Sequence, residues 1–320
     1  MLKEGTRLAS PSPQSLPAAA PGQARSPQLS PALIYAMLAA VAVFWGASFV
    51  AAKVALRELS PTNLVTLRFA LAAFIFGPIA YSYHRRGLRI TRGDWPMLWF
   101  LAWLGVTTYF LIQYQALRWT TATRSTIIIT SNPLFTIVWS YLLLRERPGR
   151  NRLLAVGVAL AGVLLVVWPQ GGLRGGDRTL LWGDLLILSN ALAWSLYSVL
   201  GRRLMRRYPP LLITAWVGLL GGLSLLPLAL AQGVVAQTLQ LKAEAWLMVL
   251  FLAVFCSGAG YLGWFAAIER VGPGRASVFL YLEPVVAAVL GVLFLGEALS
   301  FRAALGGALT VAGVYLTTRS

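Results

Sequence analysis

From Leu33 to the carboxyl terminus the chain alternates long apolar runs with short polar interruptions, and this constrains the fold more than any other feature. A run of about 20 residues rises roughly 30 Å as a helix, the thickness of a bilayer core. We place such runs at 33–52, 62–83, 96–117, 125–144, 152–168, 181–200, 211–231, 246–268, 276–295 and 302–318. In lipid each backbone amide must find its partner within its own segment, so runs of this kind are helices. Ten of them use about 200 residues, leaving only a tail and short loops. Composition agrees: 58% of residues are hydrophobic and 12% charged, whereas soluble domains carry about 25% charge. The expectation is an all-α integral membrane protein with ten transmembrane helices.

A net charge of +17 does not point to nucleic acid, because the basic residues sit in short clusters between apolar runs. With the amino terminus inside, 18 Lys and Arg fall in inside segments and eight in outside ones. That bias predicts a multi-pass protein of the inner (cytoplasmic) membrane with both termini cytoplasmic. Residues 1–31 are rich in Pro, Ser, Ala and Gln and lack a signal-peptide core, which predicts a disordered cytoplasmic tail. Cys256 is the one cysteine and His84, in a polar stretch beside Arg85 and Arg86, the one histidine. No phosphate-binding GxxxxGK[ST] loop, HExxH or GxSxG occurs, so we expect no metal, no cofactor and no catalytic residues.

Sliding the chain by 151 residues aligns 124–165 with 275–316, with eleven of 42 positions identical. Shared apolar composition inflates any such match, but not the recurrence of Arg124/Arg275, Pro133/Pro284 and Glu146/Glu297 in register. A slip of two residues brings Trp45/Trp194, Lys53/Arg202 and Pro61/Pro210 into line. The chain thus divides into a first five-helix repeat at 32–168, a linker at 169–180 that opens PQGGLRGG, and a second repeat at 181–318. Five is odd, so the second copy enters the bilayer from the opposite side. Inverted repeats build two conformations from one pattern, which is the geometry of alternating access.

Several motifs carry a resemblance: WGASFVAAK at 45–53, Leu67-Arg68-Phe69, YFLIQYQAL at 109–117, NPLF at 132–135 and AGV at 161–163. In the second half stand GYLGWFAAIE at 260–269, RASVFLYLEPV at 275–285, LFLGE at 293–297 and AGV at 312–314. Together they resemble the EamA-type branch of the drug/metabolite transporter superfamily, over nearly everything after residue 33. The resemblance implies ten helices, export of small metabolites and a central cavity between the halves. One departure is Asn132 before the first-half proline, where the second half has Glu283.

Glu283 lies about 12 Å into its span at 1.5 Å per residue, no other acid is read as lying so deep, and an intramembrane ionisable group is a functional candidate. It can bind a substrate amine or exchange a proton; the structural alternative is burial against helix-end amides or Arg68. Arg68 is the matching cation, read as snorkelling or as a structural ion pair, with a substrate carboxylate as the other role. Arg124 and Arg275 read as interfacial anchors. Glu146 and Glu297 read as caps on the next helix of their own half. Polar and aromatic residues recur at helical spacing: Trp45 and Ser48; Tyr109 and Gln113; Asn132, Thr136 and Trp139; Asn190, Trp194 and Tyr197; Ser257, Tyr261 and Trp264. Amides and hydroxyls facing lipid would lack partners, so these faces turn inward and line a cavity suited to a small amphipathic solute.

The expectation is therefore a secondary transporter that exports amino acids or related amphipathic compounds. The partners are the bilayer and a small-molecule substrate, with either proton coupling or facilitated diffusion. An exchanger of nucleotide-linked sugars or phosphorylated metabolites would want more cations along the cavity. A membrane-embedded enzyme would need convergent acids, histidines or a nucleophile at one depth.

Overall fold

The computed structural model describes residues 30–145, 149–168 and 177–319. Most of the tail, PQGGLRGG and Glu146 lie outside the described residues. Eight helices are long and apolar enough to cross a membrane: α1 (Pro31–Ala55), α2 (Pro61–Arg85), α3 (Arg92–Leu117), α4 (Ala122–Leu143), α6 (Arg178–Met205), α7 (Pro210–Ala231), α8 (Ala243–Val271) and α9 (Arg275–Leu295). Two further apolar helices, α5 (Arg150–Val167) and α10 (Phe301–Arg319), complete ten. The protein is an all-α integral membrane protein.

Helix starts are written in the sequence. Ser30-Pro31 and Ser60-Pro61 each place a capping hydroxyl before a proline whose missing N–H costs nothing in a first turn. The Ser30 hydroxyl accepts from Leu33 N and that of Ser60 from Asn63 N. Thr121 caps α4 and Asp177 caps α6 in the same way. Pro78 and Pro227 lie inside α2 and α7 at corresponding places in the two halves.

The packing follows the repeat. The first helix of one half, α1, packs on α8 and α9 of the other, while α6, the first of the second half, packs on α3 and α4. Further cross-half pairs are α2 with α7, α5 with α10, α4 with α9, and the matched α3 with α7 and α8 with α2. Exchanging the halves maps this set of contacts onto itself. The α5–α10 contact depends on Gly162, where a methyl group would fall 2.5 Å from the backbone nitrogen of Thr310. Gly157, on the same helix, meets nothing within 4 Å. Large apolar side chains such as Phe74, Leu154, Leu293 and Phe294 are exposed. In water these would be a liability; here they form the lipid-facing surface.

Candidate functional site

Four of the helices that meet at the centre are irregular, and in matched pairs. In α4 the first segment ends at Ile129 and the second starts at Asn132-Pro133. In α9 a 3₁₀ turn at Val278–Tyr281 precedes Leu282-Glu283-Pro284. A proline cannot donate into the preceding turn, so each helix is interrupted just before its repeat proline. Asn132 and Glu283 occupy the first turn after the interruption. In α3 and α8, stretches of wide π-type turns run over Trp103–Thr108 and Phe251–Ala259. Such turns free backbone carbonyls and recur at functional sites. One freed carbonyl, that of Cys256, accepts from Trp45 Nε1 at 3.0 Å.

The predicted aromatic residues gather into two neighbouring groups. Trp45 contacts Tyr261 and Trp264, with ring centroids 5.7 and 5.4 Å apart. Tyr109 contacts Trp194 at 4.8 Å, and Trp194 contacts Tyr197 at 5.2 Å. Both groups meet at a cavity lined by Trp194, Tyr197 and Tyr261 together with Phe69, Phe76 and Gly105. Its free volume is about 10 Å³, room for a water-sized occupant, whereas small-molecule pockets run to roughly 300–1,000 Å³. This cavity has no room for a larger solute unless the helices around it part. Ser48 turns its hydroxyl back to the Trp45 carbonyl at 2.6 Å, so its proton is committed to its own helix.

Two ionisable side chains at the centre, Arg68 and Glu283, do not pair with each other. Arg68 is buried, with 4% of its surface exposed, which rules out snorkelling to the interface. Its Nε donates to Ser257 Oγ at 2.9 Å and its Nη1 to Tyr114 Oη at 2.8 Å. The guanidinium lies 4.4 Å from the Phe110 ring centroid, within cation–π range. It has no carboxylate partner among the described residues, so the expected structural ion pair is absent. Two of its five donors are used. Glu283 is half-buried and likewise has no hydrogen bond or ion pair among the described residues. Tyr109 lies within electrostatic reach of both Arg68 and Glu283. The backbone at Glu283 is pressed against α1, where a methyl group on Gly46 would sit 2.7 Å from its carbonyl oxygen.

Of the predicted amides, Asn190 and Gln113 are buried and Asn132 half-buried, and each leaves a side-chain atom unsatisfied. Asn190, fully buried, has neither side-chain atom bonded; Gln113 Oε1 and Asn132 Oδ1 are also without partners.

Three expectations need correction at the end where α3 meets α4. Arg124 is buried against Asp184 rather than anchored at an interface, donating to it through Nε at 2.9 Å and also through Nη2. Glu283 is not the sole deep acid, since Asp184 is fully buried and also accepts from Thr120 Oγ1 at 2.5 Å. Glu297 caps a helix of the other half: it accepts from Ala122 N at 2.7 Å, Thr123 N at 3.1 Å and Thr123 Oγ1 at 2.9 Å. Lys53 Nζ joins Glu297 (3.1 Å) to the Thr120 carbonyl (2.7 Å). The result is a continuous polar network across both halves. A separate pocket of about 340 Å³ lies on this side, lined in part by Thr121, Arg124, Leu181 and Ser300. At the opposite end Asp94 receives Arg207 at 3.1 Å and Tyr208 at 2.9 Å.

Sequence reasoning missed Tyr114, which holds the guanidinium, and Asp184, which it judged too shallow. The start of α6 at Arg178 rather than 181 is the signal that would have deepened Asp184 by a turn. Nothing local marks Tyr114, because its partner is 46 residues away.

The model of the EamA-like transporter family matches residues 32–168 and again 181–319. An uncharacterized transporter of Archaeoglobus fulgidus is 34% identical over 283 residues, covering 88% of this chain and 96% of that protein. A Salmonella typhimurium protein named "Probable amino-acid metabolite efflux pump" is 26% identical over 287 residues, covering 86% and 91%. A solved crystal structure, 21% identical and covering 90% of this chain and 96% of its own, superimposes with a TM-score of 0.58 and shares the fold.

Proposed function

Because the chain belongs to the EamA-like transporter family, and is thus a membrane transporter, we propose that it exports amino acids or related small amphipathic metabolites by alternating access. The observation that carries this reading is that Arg68 and Glu283, an ionisable base and acid, each lack an ion-pair partner among the described residues while an aromatic-walled cavity lies at the centre. An uncompensated charge in a low-dielectric interior is expensive, and a zwitterion offsets both at once. Its carboxylate takes the free donors of Arg68, its ammonium takes Glu283, and an apolar side chain packs against Trp45, Trp194, Tyr197, Tyr261 and Trp264. A net-neutral site of this kind favours net-neutral solutes over phosphorylated ones. The name of the Salmonella relative supports the same substrate class.

The setting is the cytoplasmic membrane, with both termini cytoplasmic. The second copy of the repeat lets the halves exchange conformations. In this state the network of Lys53, Thr120, Arg124, Asp184 and Glu297 ties the halves together at the end that the charge bias places outside. Opening that end requires these contacts to part. Glu283 carries the coupling proton when it is not holding the substrate amine, no cofactor takes part, and the protein is a carrier and not an enzyme.

The test is efflux from proteoliposomes loaded with a pooled set of amino acids, sugars and phosphorylated metabolites, with and without a pH gradient. Selective loss of amino acids, faster with the gradient, is expected. Loss confined to phosphorylated compounds would overturn the substrate class, and loss indifferent to the gradient would remove the proton from the scheme.

A further inference from the structure

Asn190 alone among the described buried side chains leaves both of its polar atoms unsatisfied. It is 0% exposed, and both its Oδ1 and its Nδ2 lack partners. A buried amide left in this condition forfeits hydrogen bonds it would make in water. Gln113, 3% exposed, leaves Oε1 unpartnered, and Asn132 leaves Oδ1 unpartnered. Helix-packing glue would be bonded across the interface; these groups are not.

The three amides share a level. Helices α3 and α6 are antiparallel, and Tyr109 of one meets Trp194 of the other. Gln113 lies one turn beyond Tyr109 and Asn190 one turn before Trp194, so both stand one turn toward the Arg124–Asp184 pair. Along α4, Arg124 is held at Asp184 and Trp139 Nε1 at the Leu192 carbonyl, 3.2 Å away. Asn132 falls between these two ties, opposite the 184–192 segment. The opposite side of the repeat has no such set: Gln113 corresponds to Trp264, Asn132 to Glu283 and Asn190 to Val41. A feature serving the inverted fold alone would recur in both halves.

We propose that Asn190, supported by Gln113 and Asn132, is a specificity subsite that reads a neutral polar group on the substrate side chain. The unfilled Nδ2 needs an acceptor and the unfilled Oδ1 a donor, so a bound cation would satisfy only half of it. A carboxamide or hydroxyl satisfies both. The inference rests on the amino-acid reading above and deepens it: Arg68 and Glu283 hold the constant groups of the substrate, and the amides rank its side chains.

The experiment is transport in proteoliposomes of two shape-matched pairs, threonine with valine and glutamine with methionine, by the wild type and by Asn190→Leu. The wild type is expected to favour the polar member at least tenfold, because a site built for a hydrogen bond rejects the analogue lacking it. In N190L the ratio should fall to near one, the polar member losing more than the apolar one. Gln113→Leu serves if N190L fails to insert, and should lower the ratio by about threefold or more. Equal transport of both members by the wild type, or an unchanged ratio in the variants, would overturn the subsite while leaving the amino-acid reading intact. Failure of all four amino acids to move, while another solute class does, would instead overturn that reading.

Discussion

Glu283→Gln is expected to lower amino-acid transport by roughly 10–100-fold, from the 1.5–3 kcal/mol that a charge-assisted hydrogen bond contributes, and to abolish its response to a pH gradient. Glutamine preserves the shape of the side chain and its ability to accept a hydrogen bond. What it removes is the charge opposite the substrate amine and the group that carries the proton. The Glu283 side chain makes no hydrogen bond or ion pair among the described residues, so replacing it with the isosteric glutamine should leave folding and detergent stability nearly unchanged. A fall in transport at constant stability separates function from structure. Unchanged flux and unchanged pH response would return Glu283 to a role in bending α9. The check is initial efflux rate at two gradients, with unfolding followed on the same preparation.

Asp184→Ala is expected to do the reverse, destabilising the protein by about 3–5 kcal/mol, the cost of leaving a buried charge without its partner. The stranded group is Arg124, which is buried and donates to Asp184 through two nitrogens. The pair joins α4 to α6, and hence the two halves, beside the Lys53–Glu297 contact. A double variant, Arg124→Leu with Asp184→Leu, should recover much of the loss, since an apolar pair of similar volume avoids the desolvation altogether. The checks are the thermal midpoint in detergent and proteolysis in membranes. A single variant as stable as the wild type would mean that Arg124 finds water when Asp184 is removed, and that the network does not seal this end.

The ten helices and the correspondence between the two halves were legible in the sequence. Apolar run length sets the spans, Ser-Pro pairs set the starts of α1 and α2, and the 151-residue register relates the halves. The interruption of α4 and α9 was foreshadowed by Pro133 and Pro284, though the irregular turns in α3 and α8 left no mark in composition. Of the site, the aromatic faces were readable from helical spacing. What their residues meet across the bundle was not. Arg124 and Glu297 show why: both sit at the ends of apolar runs, where sequence alone suggests an interface or a local cap. Their partners, Asp184 and the amides of Ala122 and Thr123, come from the other half. Such contacts depend on how the halves dock, which no periodicity encodes. The same holds for Arg68, whose cage draws on α2, α3 and α8 at once.

The central claim is that one site holds both charges of a zwitterion, and the most direct test strips those charges from the substrate. Proteoliposomes that accumulate a labelled amino acid by counterflow would be offered, as competitors, the same amino acid, its amide lacking the carboxylate, and its deaminated acid lacking the amine. The account predicts that the intact amino acid competes and that each altered compound is at least tenfold weaker. It also predicts that the penalty for the missing amine disappears in E283Q. Equal competition by all three would contradict it.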